Sequence, residues 1–356
     1  MKNRGTKPRL GFLGPHLGAR PGWVVTQSEI LARLFTGEGY EVQTSSSLEQ
    51  PILRTADMLA ACARWRGRVD VVVLSVFSGR AFHIADVISR AARLLSLPQI
   101  HVLRGGALPE LAADQPRRVR QVLSRAAAVV SPSPFLARTT DGLGLEADVI
   151  PNVLDLEAYE YEPRRLSSDG PVEMLWLRTF HPIYRPLTAL KTVAELRRRG
   201  VDVRLTFAGQ DKGLEDTCRR GADELGLTSS VRFAGFLDAE GKRRELARHD
   251  LYLHTNQVDN TPVTVLEAAA SGLPIIATAV GGLPDLLDDG RSGLLVEDAP
   301  DGELARQLAD AVQRLIDEPA LAPTLSRGGR ELAERCAWPR VHEQWRSLFA
   351  QVLDRD

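Results

Sequence analysis

Cysteine is scarce in this chain. Among 356 residues there are three, Cys62, Cys218 and Cys336, and they lie far apart in sequence. This spacing fits neither a zinc site nor the disulfide framework of a small secreted domain. The scarcity is typical of a protein from a reducing compartment, and we expect a cytoplasmic location.

Long apolar runs are also absent. No stretch approaches the ~20 apolar residues that a membrane-spanning helix requires. The basic segment from Met1 to Arg9 is followed by an apolar stretch that Gly14 and Pro15 soon interrupt, which is too short for the core of a signal peptide. Peripheral attachment to the inner face of a membrane needs no such helix, so it stays compatible with the sequence.

The whole chain has no strong excess of positive or negative charge, because its net charge is −1. The charge is nevertheless unevenly divided, because residues 1–150 carry 19 Lys and Arg against 12 Asp and Glu. This basic half indicates either an anionic or membrane-associated partner or an arginine-rich surface without a specific role. Nucleic acid is not expected as a partner, because no basic run is interleaved with aromatic residues.

The chain does contain a regular alternation of short apolar strands and amphipathic helices, with 44% hydrophobic and 26% charged residues. Its length suggests two domains. In the first half the pattern predicts strands at 10–13, 71–74, 99–102 and 128–130 and helices at 28–35, 52–65, 81–95 and 117–126. Thr26 to Glu29 has the sequence of a capping box. Such alternation predicts a doubly wound parallel sheet.

The pattern restarts after a polar, proline-containing segment, residues 156–170, which we interpret as a linker. The second half is predicted to contain strands at 172–177, 203–208, 231–233, 251–254 and 274–277 and helices at 187–199, 214–225, 239–248 and 304–315. We therefore predict an α/β protein with Rossmann-like domains at 1–155 and 171–335. A final helix is predicted within residues 336–356. Ligands of such sheets bind at the carboxyl ends of the strands.

The most informative segment, residues 260–296, reads NTPVTVLEAAASGLPIIATAVGGLPDLLDDGRSGLLV. Asn260 and Thr261 are able to cap a helix, and Pro262 suits its first position. This helix start and the turn Gly281-Gly282 lie within one small region. Free backbone N–H groups there could hold an anion such as a diphosphate.

This segment resembles the donor-site signature of the family 4 retaining glycosyltransferases. The signature is an acidic residue, seven residues and then Glu, followed by the pattern E-A-x-A-x-G-x-P-x-x-x-T-x-x-G-G-x-x-E. Here Asp259 precedes Glu267 by that spacing, and the pattern runs in order to Asp285. Asp259 and Asp285 stand where Glu is usual, so the shorter Asp259 side chain is expected to reach a sugar differently.

Further segments resemble the family in the correct order. Ser131 to Leu136 resembles its strand-end serine motif. Ile150 to Asp155 resembles its I-P-N-G-V-D linker motif, with Val153 in place of Gly. Phe233 to Phe236 resembles the turn that borders the nucleotide base. Gly14 to Trp23 resembles the glycine loop that approaches the donor phosphates and the acceptor.

Two arginines in this chain take places that the family gives to functional residues. Arg178 ends a strand where the family's Arg holds the donor diphosphate. The family's following Lys is missing, and Arg185 is either its cationic substitute or a solvated residue at a helix start. Arg104 stands where many relatives carry a His near the reacting sugar. Because arginine cannot act as a base, we assign Arg104 to an anionic acceptor or the leaving phosphate, and we expect His101 in the core.

The resemblance implies a GT-B fold, in which two Rossmann-like domains face a cleft. The first domain would bind the acceptor and the second the nucleotide sugar, and the final helix would cross back to the first domain. Asp259, Glu267, Arg178 and Arg104 are then the candidate catalytic residues, of which Asp259 would hold hydroxyls of the donor sugar and Glu267 those of the ribose. The candidate donor-binding residues are Arg185, Gly22, Asn260, Thr261, Pro262, Val263 and Phe236.

The activity that the resemblance implies is retaining transfer of a sugar from a nucleoside-diphosphate sugar to a glycan, a lipid-linked acceptor or a small molecule. Cell-surface polysaccharide or glycoconjugate synthesis is the expected setting. No Asp-x-Asp sequence occurs before residue 354, so we expect neither a metal ion nor another cofactor, with the helix start at 260–263 and Arg178 supplying the positive field. The sequence leaves the sugar, the base, the acceptor and the oligomeric state open.

Three alternatives remain at this point. One is a nucleotide-sugar epimerase that releases the sugar, and another is a nucleotide-sugar-binding protein that has lost catalysis, as the missing Lys and His would suggest. A dinucleotide oxidoreductase is disfavoured, because the glycine loop after the first strand does not form G-x-G-x-x-G.

Overall fold

The structure is a computed structural model that describes residues 7–18, 20, 22–166 and 170–354. It divides into two compact units, called here unit one (Met1–Val153 with Trp338–Asp356) and unit two (Leu154–Ala337). Each unit contains one six-stranded sheet whose paired strands are all parallel. The predicted α/β fold with two parallel-sheet units is confirmed. Some predicted positions lie outside the described residues, namely 1–6, Ala19, Pro21, 167–169 and 355–356.

The sheet of unit one has the strand order β2-β1-β3-β4-β5-β6. Its strands are β1 Leu10–Leu13, β2 Val42–Ser45, β3 Val71–Val76, β4 Gln99–Leu103, β5 Ala128–Ser131 and β6 Asp148–Val149. Its helices are α1 Gln27–Gly37, α2 Pro51–Trp65, α3 Ala81–Leu94, α4 Leu108–Asp114, α5 Pro116–Leu123, α6 Pro134–Asp141 and the carboxyl-terminal helix Trp338–Leu353. The predicted sequence elements correspond to β1, β3, β4 and β5 and to α1, α2, α3 and α5.

Helices cover both faces of this sheet, because successive side chains of a strand point to opposite sides. Val72 and Leu74 of β3 pack in a core with residues of α2 and α3, such as Trp65. Val71 and Val73 pack in a second core with residues of α1 and of the carboxyl-terminal helix. That helix is therefore part of unit one, although its sequence follows unit two.

The predicted capping box at the start of α1 is confirmed. Glu29 N–H donates to Thr26 Oγ1 at 3.3 Å, and Thr26 N–H donates to Glu29 Oε2 at 2.6 Å. These two bonds satisfy two backbone donors that would otherwise be unpaired at the helix start. The strand β2 is missing from the sequence prediction because three of its four residues, Gln43 to Ser45, are polar.

The sheet of unit two has the order β12-β11-β10-β7-β8-β9. Its strands are β7 Val172–Leu177, β8 Val203–Ala208, β9 Val231–Phe233, β10 Leu251–His254, β11 Ile275–Thr278 and β12 Leu294–Val296. Its helices are α7 Pro186–Arg198, α8 Glu215–Glu224, α9 Ala239–Arg248, α10 Val263–Ala270, α11 Leu283–Leu286, α12 Asp301–Asp317 and α13 Leu321–Arg335.

The described part of the predicted linker packs within unit two. Leu166 belongs to the core that β7, β8 and α12 share. Arg164 is buried, and its guanidinium donates to the carbonyl oxygens of His249 at 2.9 Å and Ala247 at 2.8 Å. The division between the units accordingly lies at Val153 and Leu154.

The three cysteines are free and buried. Within the described ranges, no helix has the length and apolar character needed to cross a membrane.

Candidate functional site

The carboxyl ends of β7 and β10 meet at the topological switch point of unit two. From β7 the chain passes to β8 and β9 on one side, and then to β10 on the other side of β7. Loops that leave such neighbouring strands in opposite directions open a crevice, which is where open α/β sheets bind ligands. Arg178 directly follows β7, and His254 is the last residue of β10.

Arg178 and Asp259 form an ion pair at this edge. Arg178 Nη2 lies 2.7 Å from Asp259 Oδ2, and the two side chains are only 15% and 13% exposed. The Arg178 guanidinium also lies 4.3 Å from the ring centre of Tyr184, a cation–π contact. The structure therefore brings together two residues to which the sequence assigned separate roles, diphosphate binding and sugar binding.

Three further groups hold the Asp259 carboxylate. Asn256 Nδ2 donates to Oδ2 at 2.6 Å, His254 Nε2 lies 3.3 Å from the same oxygen, and Asn260 N–H donates to Oδ1 at 2.9 Å. Burial alone would raise the pKa of Asp259, but the Arg178 charge and the His254 hydrogen bond outweigh it and lower the pKa to about 2. Asp259 is therefore a carboxylate at any physiological pH.

The glycine turn packs directly against the backbone of this acidic residue. A Cβ atom on Gly281, whose φ is +57°, would lie 1.9 Å from Asp259 O, and one on Gly282 would lie 2.2 Å from Asn260 O. Gly282 N–H donates to Asp259 O at 3.0 Å. The sequence predicted an anion-binding turn here. In the structure one of its N–H groups is already paired, and the glycines allow the loop that carries Asp259 to approach.

The helix α10 begins one residue later than predicted. Pro262 is the N-cap residue rather than the first helical residue, and no side chain makes a capping hydrogen bond there. The predicted capping by Asn260 and Thr261 is therefore wrong. The Asn260 backbone packs against Gly282 of the glycine turn, and the helix starts at Val263.

Glu267 of α10 is 4% exposed and has an asymmetric environment. Its Oε1 accepts from Tyr159 Oη at 2.9 Å and from Lys242 Nζ. Its Oε2 is buried and has no hydrogen-bond partner. A lysine and a tyrosine thus contact one oxygen, and the second oxygen is unsatisfied.

Four buried side-chain atoms of this edge lack a hydrogen-bond partner among the residues that the structure describes. They are Arg178 Nε, His254 Nδ1, Asn256 Oδ1 and Glu267 Oε2. Buried polar atoms in folded proteins are almost always paired, so each of these needs an explanation. Their grouping at the switch point is what a polar ligand would account for, since it could bring both donors and acceptors.

The other predicted donor residues of unit two lie in different surroundings. Arg185 caps α7 in a left-handed conformation, and its guanidinium pairs with Asp298 and, at 3.8 Å, with Asp301. The positive charge of Arg185 is therefore paired with carboxylates of unit two. Phe236 is 39% exposed in the turn after β9, and the neighbouring Gly235 O accepts from Gly209 N–H at 2.8 Å. This bond attaches the Phe236 turn to the end of β8.

Arg104 of unit one follows β4, where its Nη1 donates to Asn152 Oδ1 at 2.7 Å. Burial lowers the pKa of Arg104 to about 10, so the guanidinium stays charged at neutral pH. His101 is fully buried as expected, and burial lowers its pKa to about 3. Gly22 has a φ of +80°, which glycine adopts without strain.

The residues of the site in unit two that sequence reasoning missed include His254, Asn256, Lys242 and Tyr159. A signal existed for Lys242, because helices that follow parallel strands begin near the carboxyl edge, and Lys242 lies in the first turn of the correctly predicted α9. Nothing in the pattern indicated Tyr159, which lies in the segment interpreted as a linker. As for metals, no group of three or more His, Cys, Asp or Glu side chains that could hold an ion occurs in the described part of the chain.

Part of the chain is similar in sequence to known glycosyltransferases. Residues 174–318 match the family described as "Glycosyl transferases group 1". The D-inositol 3-phosphate glycosyltransferase of Nocardioides sp. is 30% identical over 201 residues, which are 52% of this chain and 43% of the relative. The matched segment thus spans less than half of the relative. The predicted resemblance to group 1 glycosyltransferases is confirmed, and the assignment to family 4 stays a prediction.

Solved structures resemble the whole chain. Sucrose-phosphate synthase from Thermosynechococcus elongatus has a TM-score of 0.80 at 17% identity and covers 98% of this chain and 100% of its own. Anabaena HepE in complex with UDP and glucose has a TM-score of 0.72 at 17% identity and covers 97% and 100%. At such identities the likeness concerns the fold, and the predicted GT-B class is confirmed.

Proposed function

We propose that this chain, whose residues 174–318 match the group 1 glycosyltransferases, transfers a sugar from a nucleoside-diphosphate sugar to an acceptor. The observation that carries the proposal is the group of unsatisfied buried atoms on Arg178, His254, Asn256 and Glu267 at the switch point of unit two. A diphosphate sugar offers anionic oxygens to Arg178 and hydroxyl groups to Glu267 and Asn256, so one such ligand would satisfy donors and acceptors together.

In the proposed reaction the bond between the anomeric carbon and the diphosphate breaks, and the acceptor oxygen bonds to that carbon. The departing diphosphate takes the proton of the acceptor hydroxyl on the same face, so the anomeric configuration is retained. Arg178 would stabilise the negative charge that develops on the leaving group. We assign no step to a metal ion.

The acceptor is proposed to be anionic and to bind unit one. Residues 1–150 are basic on balance, and Arg104 is a charged, partly buried group at the carboxyl edge of the unit one sheet. One curated relative is named for an inositol phosphate acceptor, which fits an anionic class. A role in cell-surface glycan or glycoconjugate synthesis, at the cytoplasmic side of a membrane, is part of the proposal.

The experiment is calorimetric titration with UDP, GDP and ADP, followed by assays of diphosphate release from the matching nucleotide sugars with and without anionic acceptors. Glu267→Gln keeps the shape of the side chain but removes its charge. We expect it to weaken binding by about 10- to 100-fold, the effect of losing a hydrogen bond to a charged group. Glu245→Gln is the matched control, because Glu245 is also a buried, ion-paired glutamate of unit two.

The outcomes separate the alternatives. Transfer to an acceptor with retained configuration in the product, undiminished by EDTA, would support the whole proposal. Turnover of the donor alone would favour an epimerase, and binding without any turnover would favour a binding protein. If the wild type bound none of the three diphosphates, or if both glutamine variants behaved alike, the assignment of the site would be wrong.

A further inference from the structure

We infer that Lys242 and Tyr159 are positioning residues, which hold the Glu267 carboxylate so that one oxygen is occupied and the other is presented to the ribose hydroxyls of the donor. This inference rests on the proposed function. It adds two residues that lie outside the acidic signature and the glycine turn, one from the helix α9 and one from the segment that enters unit two.

The first step is the asymmetry of the carboxylate. Both donors, Tyr159 Oη and Lys242 Nζ, contact Oε1, whereas Oε2 is buried without a partner. The terminal torsion of a glutamate side chain is broad and nearly two-fold, so without these contacts the two oxygens could exchange. Two donors on one oxygen fix this torsion and leave the other oxygen in a defined direction.

The second step is charge. Glu267 is 4% exposed, and a buried carboxylate needs a counter-charge. Lys242, whose side chain is 24% exposed, is the cation in contact with it. Burial, followed by the Glu267 charge, raises the pKa of Tyr159 above its usual value, so the phenol keeps its proton and acts as a donor.

The third step is the location of Lys242. Its backbone N–H closes the first turn of α9 onto Asp238 O at 2.9 Å, and Asp238 caps that helix through a bond from Gly241 N–H at 2.7 Å. The capped helix directly follows the exposed Phe236, which is the predicted contact of the nucleotide base. Lys242 thus lies in the helix that follows the Phe236 turn, and its side chain contacts Glu267, the residue proposed to bind the ribose hydroxyls.

The test uses UDP, GDP and ADP and their 2′,3′-dideoxy counterparts, titrated calorimetrically into the full chain. One of the three ribonucleotides should bind the wild type best, and we expect its affinity to exceed that of its dideoxy form by about tenfold or more. Lys242→Met should weaken ribonucleotide binding and reduce this preference to within about threefold, with dideoxy binding nearly unchanged. Lys242→Arg should retain most of the preference, because it keeps a cation there.

Two other variants make the test specific. Tyr159→Phe should reduce the preference in the same direction, and it keeps the test available if Lys242→Met does not fold. Arg232→Met is the matched control, because Arg232 pairs with Glu245, a buried glutamate of the same helix α9. That variant should keep the full preference for ribose.

The contrary results are distinct. If Lys242→Met weakened both nucleotides equally, or kept the wild-type preference, Lys242 would have a structural role only and the inference would be wrong. A wild type that binds diphosphates without preferring ribose would also overturn the inference, while leaving the proposed function intact. A wild type that binds none of the diphosphates would remove the proposed function and the inference together.

Discussion

Replacing Asp259 by Asn should destabilise unit two, because Asp259 supplies the counter-charge of the buried Arg178. The carboxylate has a pKa of about 2, against an ordinary value of 3.8. This lowering of the pKa corresponds to roughly 2 kcal/mol of unfolding free energy at neutral pH. Breaking a buried pair by removing one partner costs about 3–5 kcal/mol. We therefore expect a loss of about 3 kcal/mol.

The pH dependence of this loss has a defined sign. The pKa of Asp259 is lower in the folded state, so the carboxylate stabilises the fold fully above the unfolded pKa of 3.8. That stabilisation decreases as the pH falls from there toward 2, where the folded carboxyl also protonates. The difference in unfolding free energy between the wild type and Asp259→Asn should thus be constant from pH 7 to about 5. It should become smaller below about pH 4.

Scanning calorimetry of the two proteins over this pH range measures the effect directly. For a unit of this size, each kcal/mol of lost unfolding free energy lowers the thermal unfolding midpoint by about 2–4 °C. The midpoint of unit two should therefore fall by about 10 °C at pH 7. Asp202→Asn is the control, because Asp202 pairs with Arg197 at the surface and is 62% exposed. A loss below about 1 kcal/mol, or a difference that already narrows between pH 7 and 5, would refute this account of the ion pair.

Two further predictions concern the backbone. Gly281→Ala should lower the free energy of unfolding by about 2–4 kcal/mol, because its Cβ would lie 1.9 Å from Asp259 O at a φ of +57°. Gly290 has a similar φ of +73° but open space around it, so Gly290→Ala should lower it by about 1 kcal/mol. Equal losses of unfolding free energy in the two variants would contradict the packing argument. Thr26→Ala should destabilise unit one by about 1 kcal/mol through loss of the capping box. Thr55→Ala, at a half-buried threonine within α2, should lower the thermal unfolding midpoint of unit one less, and no difference between the two variants would argue against the cap.

Much of the fold could be predicted because parallel strands leave a clear signal. Strands such as β3 and β7 are largely apolar, since both faces of the sheet are covered by helices. The strand β2 escaped prediction, because at the sheet edge it is mostly polar. The segment 156–170 was interpreted as a linker from its polarity and proline content. Its described residues pack in unit two, because Arg164 finds carbonyl partners that are remote in sequence.

The candidate site was predicted in part. Asp259 and Glu267 could be found, because their spacing within one signature is a local property of the chain. Arg178 could be placed at the end of a strand. The partners could not be predicted, because Tyr159 and Glu267 are 108 positions apart, and Arg178 and Asp259 are 81 apart. The sequence offered Arg185 as a substitute for the missing lysine. In the structure the Arg185 guanidinium is paired with Asp298 and Asp301.

By itself the sequence determined the two parallel-sheet units, the order of most elements and the edge at which the signature residues lie, because apolar periodicity and turn residues act over short distances. Only the tertiary structure decided that Arg178 neutralises Asp259, that Lys242 and Tyr159 occupy one oxygen of Glu267, and that Gly281 admits the Asp259 backbone. These contacts depend on distances of about 3 Å between atoms of segments far apart in the chain. Such distances arise only when the sheet and its helices are packed together.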